Sequence, residues 1–299
     1  MENSLNSTKT ILVCGALGNQ GGAVVARLLE KGWKVRALTR RPQSDAALAL
    51  ANKGVEVAKG DLEDTASLDA ALEGAYGVFS VQDGSLGAEH EIVQGKNMAD
   101  AAKKSGVEHF VYSSVAGADR NTGIKIWECK WEIEKHIRKL GLPATIFRPV
   151  SFFENYYINI FHLGILMGWL TSPVKKNRPY QMIATRDIGG FVQLALERPQ
   201  EFIGMELEIA GSAQTNLENA ETFSRVTRRK VRFIQVPMWF TYLQLGKDMY
   251  KSFQWINTCG YRADVPELRR RYPELKLKTL EQWLYDEGWH KHARRWGTT

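Results

Sequence analysis

Apolar residues in the first half of the chain come in short runs that do not alternate, and each run gives way to a stretch where they recur every three to four residues. The runs at 10–14, 34–39, 55–59, 77–81, 109–114 and 144–149 predict strands covered on both faces, as in a parallel sheet. Between them, 23–31, 45–53, 65–73, 89–105 and 126–140 predict helices, with Ser44 as an N-cap and Gly32, Gly54, Gly74, Gly106 and Gly141 closing their ends. This repeated strand–helix alternation predicts an α/β fold with a doubly wound parallel sheet. Ligands of such sheets bind beyond the carboxyl ends of the strands, so the loops at Gly15, Thr39, Asp61, Val81, Ser113 and Pro149 should share one edge.

Beyond Pro149 the pattern loosens. Residues 151–155 lead into the most apolar stretch, 156–170, which predicts a helix or lid and, with Asn159 and His162 interrupting it, is too short to span a bilayer. The stretch 185–189 precedes a helix ending near Glu197, and 205–210, 216–227 and 230–236 predict a strand, a helix and a strand. The remainder reads as mainly helical, with Trp239, Phe240, Tyr242, Tyr250, Phe253 and Trp255 as core. The expected organisation is a Rossmann domain at 1–150 and a smaller, mixed, mainly helical C-terminal subdomain at 151–299, with some segments returning to the sheet.

The first strand breaks into Gly15-Ala-Leu17-Gly18-Asn19-Gln20-Gly21-Gly22, a G-x-x-G-x-x-G spacing between a strand and a helix. Gly15 suits the tight turn, Gly18 the approach of a pyrophosphate to the backbone, and Gly21 close helix–strand packing, while the helix N-terminus favours phosphate. This context points to a dinucleotide. An NAD-type site wants an acid at the end of the second strand, but none occurs between Glu30 and Asp45. The strand ends instead in Thr39-Arg40-Arg41-Pro42, and a guanidinium can grip a 2'-phosphate bidentately, so the pattern favours NADP(H).

Composition narrows the remaining classes. The 40 Lys and Arg against 33 Asp and Glu give a net charge of +7. The basic clusters at 228–230, 269–271 and 291–295 are dispersed and accompany no nucleic-acid-binding signature, which argues for solvated faces. Cys14, Cys129 and Cys259 are odd in number and far apart, as expected of reduced thiols in a cytoplasmic protein, with Cys14 a small buried hydrophobe. Residues 1–9 form a polar tail without the apolar core of a signal peptide. His290 and His292 lack ligand partners at metal-binding spacing.

The glycine turn, the Thr39-Arg40-Arg41-Pro42 strand end, Gly60-Asp61, Phe153-Glu154-Asn155 and Asp187-Ile188-Gly189 together resemble the NmrA-like branch of atypical short-chain dehydrogenase/reductases, over nearly the whole chain. The resemblance implies an NADP-binding Rossmann domain with a small C-terminal domain. Members range from NADPH-dependent reductases, of the isoflavone reductase-like and triphenylmethane reductase-like kinds, to catalytically silent NADP sensors. It would place the pyrophosphate against Gly15 to Gly21, with Leu17, Asn19 and Gln20 in that turn, and the 2'-phosphate on Arg40, with Arg41 in support. Asp61 and Leu62 would flank the adenine, Val81 and Gln82 the adenosine ribose, and Lys130 the nicotinamide ribose, with Phe153 and Asn155 close by.

Ordinary members of the wider family use Tyr-x-x-x-Lys, in which the tyrosine passes the proton accompanying hydride transfer. Lys130 would match the lysine, but Ile126 stands at the tyrosine position. Lys130 could act as the acid, as the resemblance to isoflavone reductase-like enzymes suggests, or bind cofactor, or pair with Glu134 four residues on along a solvated helix face that also carries Glu132. Tyr112, Ser113, Ser114, Tyr156 and Tyr157 offer further hydroxyls near the expected nicotinamide end. Two functions remain: a reductase of a small aromatic or conjugated substrate, or an NADPH/NADP+ sensor acting on a protein partner. A homodimer fits either function, and no membrane span is expected, since the most apolar stretch is too short.

Overall fold

The computed structural model describes residues 8–294, so the polar tail before Thr8 and the last basic position, Arg295, lie outside the described residues. The first half alternates as read: β1 (Thr10–Val13), α1 (Asn19–Glu30), β2 (Lys34–Thr39), α2 (Asp45–Ala51), β3 (Glu56–Lys59), α3 (Thr65–Leu72), β4 (Ala75–Ser80), α4 (Ala88–Ser105), β5 (His109–Ser113), α5 (Lys125–Leu140) and β6 (Ala144–Pro149). There follow β7 (Ser151–Phe152), α6 (Asn159–Leu166), β8 (Trp169–Ser172), β9 (Pro179–Ile183), α7 (Thr185–Glu197), α8 (Pro199–Phe202) and β10 (Glu206–Ile209). The chain continues through β11 (Ser212–Thr215), α9 (Asn216–Thr227), β12 (Arg232–Gln235), α10 (Met238–Thr258), α11 (Val265–Arg271) and α12 (Leu280–Asp286).

The main sheet has seven strands in the order β10-β6-β5-β4-β1-β2-β3, and the pairings among β1 to β6 are parallel. Strand order reverses between β1 and β4, which is where ligands of doubly wound sheets bind. Every residue of β5 is buried, as a strand covered on both faces requires. On one side Leu12, Val78, Phe110 and Tyr112 meet Met98, Ala102, Ile133 and Ile137 of α4 and α5. Full burial of each large side chain is worth about 1.5–3 kcal/mol. Helix ends follow their caps: Ser44 accepts from the Ala47 amide, Asp64 from those of Ala66 and Ser67, and Gly106 and Gly141 adopt left-handed backbone.

The chain divides into two units, Met1–Pro149 with Ile188–Leu207, and Val150–Asp187 with Glu208–Thr299. The second unit departs most from expectation. Beyond its helices it holds two small sheets, β11-β9-β7 and β12-β8, and strands β8, β9 and β11 lie where none was predicted. Their pairings are made with distant segments, as between Ser212 and Met182, and such short strands carry little periodic signal of their own. The core of this unit gathers Phe153, Tyr156, Met182, Phe223, Trp283 and Trp289. Phe253 and Trp255 are buried as expected, but Trp239, Phe240 and Tyr242 on α10 are exposed. Gly246 interrupts α10 with non-helical backbone (φ 78°), so the aromatic stripe does not continue as one helical face.

Candidate functional site

Backbone geometry explains each glycine of the first turn. Cys14 extends β1 by donating its amide to the Phe79 carbonyl (2.9 Å), and Gly15 then turns the chain with a φ of +62° that strains any other residue. The Gly18 amide closes the turn on the Gly15 carbonyl at 2.9 Å. A Cβ on Gly21 would overlap the Gly15 carbonyl and lie 2.8 Å from the Ala16 nitrogen, so only glycine lets α1 start this close to β1. The helix begins at Asn19 rather than at Ala23, because Gly21 and Gly22 serve as helical positions packed against the turn. Its N-cap, Gly18, offers no side chain, and no acid lies in its first turn, leaving the N-terminus open to an anion.

Other predicted positions gather around this turn. A Cβ on Gly15 would lie 3.0 Å from Val81 Cγ1, so Val81, just after β4, borders the turn directly. Gln20 Oε1 accepts from Ser113 Oγ at 2.7 Å, tying the start of α1 to the end of β5. Leu17 and Asn19 are exposed at the turn. Gln82 is buried; its Nε2 donates to Ser80 Oγ (2.9 Å), while its Oε1 is buried without a hydrogen-bond partner. At the end of β2, Arg40 and Arg41 are both exposed, and the Gly60 amide donates to the Thr39 carbonyl at 3.0 Å, bringing Asp61 and Leu62 beside them. Asp61 Oδ1 accepts from the Glu63 amide and the Leu62 carbonyl from Asn97 Nδ2, both at 3.0 Å. The carboxyl of Glu63 is held below its ordinary range by hydrogen bonds from Gln94 and His90, with Arg40 adding a smaller share.

Lys130 does not pair with Glu134. It reaches from α5 across to Glu91 on α4, whose carboxylate is nearly fully buried. Glu134 is not solvated either. It is buried completely and gripped by Arg148 through Nε (3.0 Å) and Nη2 (2.6 Å), by Arg138 Nη2 (2.7 Å) and by Ser114 Oγ (2.6 Å). Arg148 also binds Asp119 (2.8 Å) and Glu206 (2.6 Å); burial opposes its charge, and these carboxylates more than compensate. Glu132 does stay at the surface, bonded to Lys135. Of the hydroxyls considered, those of Ser113 and Ser114 are thus engaged, and Tyr112 is buried, with burial and then Glu91 raising its ionisation well above the usual range.

Glu91 was absent from the sequence reading, yet a signal existed. Glu91, Gln94, Gly95, Met98, Ala99 and Ala102 form the buried stripe of α4 at helical spacing, and an acid on such a stripe needs a countercharge.

Phe153 and Asn155 belong to the second unit. The Phe153 ring is buried against Trp283 (centroids 5.5 Å apart), making it a core anchor, while Asn155 is half-buried in the short 3-10 turn Phe153–Tyr157. Tyr156 is also core, its hydroxyl donating to Met182 Sδ. The Glu154 carboxylate accepts from the Thr185 amide (3.0 Å) and hydroxyl (2.9 Å) at the start of α7. Asp187 lies inside α7, which begins at Thr185 rather than after Gly189; it accepts from the Lys278 amide at 2.8 Å, and burial pushes its carboxyl up to about 7. Gly189 belongs to the first unit, where a Cβ would lie 2.6 Å from the Ala23 carbonyl oxygen, so it lets α7 and α1 touch. Among the described residues there is no group of three metal-binding side chains, and no helix is long and apolar enough to cross a membrane.

The model of the NmrA-like family matches residues 7–284. The NmrA-like family domain-containing oxidoreductase FrzB of Cladobotryum sp. is 30% identical over 293 residues, covering 87% of this chain and 87% of that protein. Among solved structures, the Citrobacter sp. triphenylmethane reductase complexed with NADP(H) aligns with a TM-score of 0.79 at 20% identity, over 93% of this chain and 99% of that one. NmrA, a negative transcriptional regulator, in complex with NADP, aligns with a TM-score of 0.76 at 22% identity, over 93% and 94%. At these identities the two structures establish a common fold.

Proposed function

The chain belongs to the NmrA-like family, and on that premise we propose that it binds NADP(H) and acts as an NADPH-dependent reductase of a small aromatic or conjugated substrate. The observation that carries the cofactor class is the corner where β2 ends: exposed Arg40 and Arg41, no acid from 31 to 44, and the open glycine turn of α1 beside it. In this reading the turn formed by Gly15, Leu17, Gly18, Asn19, Gln20 and Gly21 lies against the pyrophosphate, and the amides at the open start of α1 hold it. Arg40, with Arg41, holds the 2'-phosphate, and Asp61 and Leu62 flank the adenine. Val81 and Gln82 line the adenosine ribose, whose hydroxyl would satisfy the buried, unpartnered Gln82 Oε1. Lys130 binds the nicotinamide ribose. NADPH supplies the hydride when bound; the side chains hold and orient it. The three free cysteines fit a reducing, cytoplasmic compartment.

The alternative is a silent NADPH/NADP+ sensor that regulates a protein partner. Ile126 in place of the tyrosine and the engagement of Lys130 by Glu91 favour it. The deciding experiment is titration with NADPH, NADP+, NADH and NAD+, followed by NADPH oxidation against quinones, enones and cationic dyes. Preference for NADPH with turnover of one acceptor supports the reductase. Tight binding without turnover on any acceptor supports the sensor, and equal affinity for all four dinucleotides refutes the NADP(H) assignment.

A further inference from the structure

Helices α4 and α5 approach each other through Gly95, where a Cβ would fall 2.5 Å from Ile133 Cδ1 and 2.7 Å from its Cγ1. That approach sets Glu91, one turn before Gly95, beside Lys130, nearly one turn before Ile133. The Glu91 carboxylate uses both oxygens there: Lys130 Nζ binds Oε1, and Cys129 Sγ donates to Oε2 at 3.3 Å. A Cβ on Gly84, in the loop after β4, would lie 3.1 Å from Glu91 Oε2, which places the pair at the carboxyl end of β4, the edge that carries Val81 and Gln82. The other titratable groups facing Glu91 are neutral. Burial and then Glu91 push the Cys129 thiol up to about 12 and raise Tyr112 of β5 well above its ordinary range. Among the described residues, Lys130 is the cation that pairs with Glu91. A buried carboxylate with one cationic partner holds that partner in place, and a free lysine side chain would otherwise sample many rotamers.

We propose that Glu91 is the positioning residue for Lys130: its buried carboxylate fixes the ammonium at the β4 edge, so that Lys130 meets the nicotinamide ribose as an oriented, already fixed donor. The ion pair stands on geometry alone; what Lys130 touches rests on the cofactor reading above.

Two readouts test this on the full-length protein. The first is reductive methylation with 13C-formaldehyde, with the Lys130 resonance assigned by its absence in Lys130→Ala. In Glu91→Gln that resonance moves toward those of the exposed lysines, and in Glu91→Asp it returns toward wild type, which a purely structural role would not produce. The second is NADPH affinity: Glu91→Gln and Lys130→Ala each weaken it about tenfold, and the double variant is no weaker than either single one. A Lys130 resonance unmoved in Glu91→Gln, or additive losses in the double variant, overturns the proposal. Wild-type protein that binds no NADPH refutes the cofactor reading instead, while the resonance still decides whether Glu91 holds Lys130.

Discussion

Replacing Arg148 by Met should expose how far the first unit depends on charge in its interior. Arg148 on β6 is 5% exposed and binds Glu134 of α5 through two nitrogens, Glu206 of β10, and Asp119 in the loop after β5. Glu134 has no exposed surface. Removing one partner of such a pair typically costs about 3–5 kcal/mol, because the charge left behind is desolvated and unmatched. Arg138 and Ser114 still bond Glu134, and Glu206 and Asp119 are partly solvated, so the lower end, about 3 kcal/mol, is expected. The double variant Arg148→Met, Glu134→Leu removes both charges and should recover most of the loss. Urea denaturation followed by tryptophan fluorescence measures this, since the Trp131 ring lies 5.8 Å from the Arg148 guanidinium carbon and 4.5 Å from that of Arg138. If Arg148→Met unfolds within about 1 kcal/mol of wild type, or the double variant is worse than the sum of the singles, the buried charge network does not stabilise the first unit.

Gly21→Ala places a methyl where the Gly15 carbonyl stands, so a loss of about 2–3 kcal/mol together with abolished NADPH binding is expected; denaturation curves with wild-type midpoint and affinity would contradict it. Arg40→Glu should lower NADPH affinity about tenfold to a hundredfold, by losing charge-assisted bonds to the 2'-phosphate, while leaving NADH affinity nearly unchanged; equal losses for both dinucleotides would remove Arg40 from the phosphate clamp. Asp187 titrates at about 7 when folded against an ordinary 3.8, so the folded state holds a proton that the unfolded state has released. The stability it contributes is full below about pH 4 and lost as pH rises through about 7, a change on the order of 4 kcal/mol. His109, depressed to about 4 by burial, acts in the opposite sense, losing stability as pH falls below 6.5, so the readout is the difference between wild type and Asp187→Asn, which should vanish at low pH and open toward neutrality.

The order of elements, the doubly wound sheet and the glycine turn were legible in the sequence because each rests on local chemistry. Unalternating apolar runs mark strands covered on both faces, Ser44 and Gly141 cap helices through their own backbone preferences, and the spacing of Gly15, Gly18 and Gly21 reflects clashes within one turn. The absence of an acid after β2 is likewise a one-dimensional fact. What only the tertiary structure decided was which charges meet. Helical spacing offered Lys130 a partner in Glu134, yet Lys130 pairs with Glu91, 39 residues away, and Glu134 with Arg148 on a strand. The small sheets of the second unit, and the exposure of Trp239 and Tyr242, were hidden for the same reason. Burial and long-range pairing are set by how elements pack, and a side chain's own neighbours in sequence carry no record of the surface it will face.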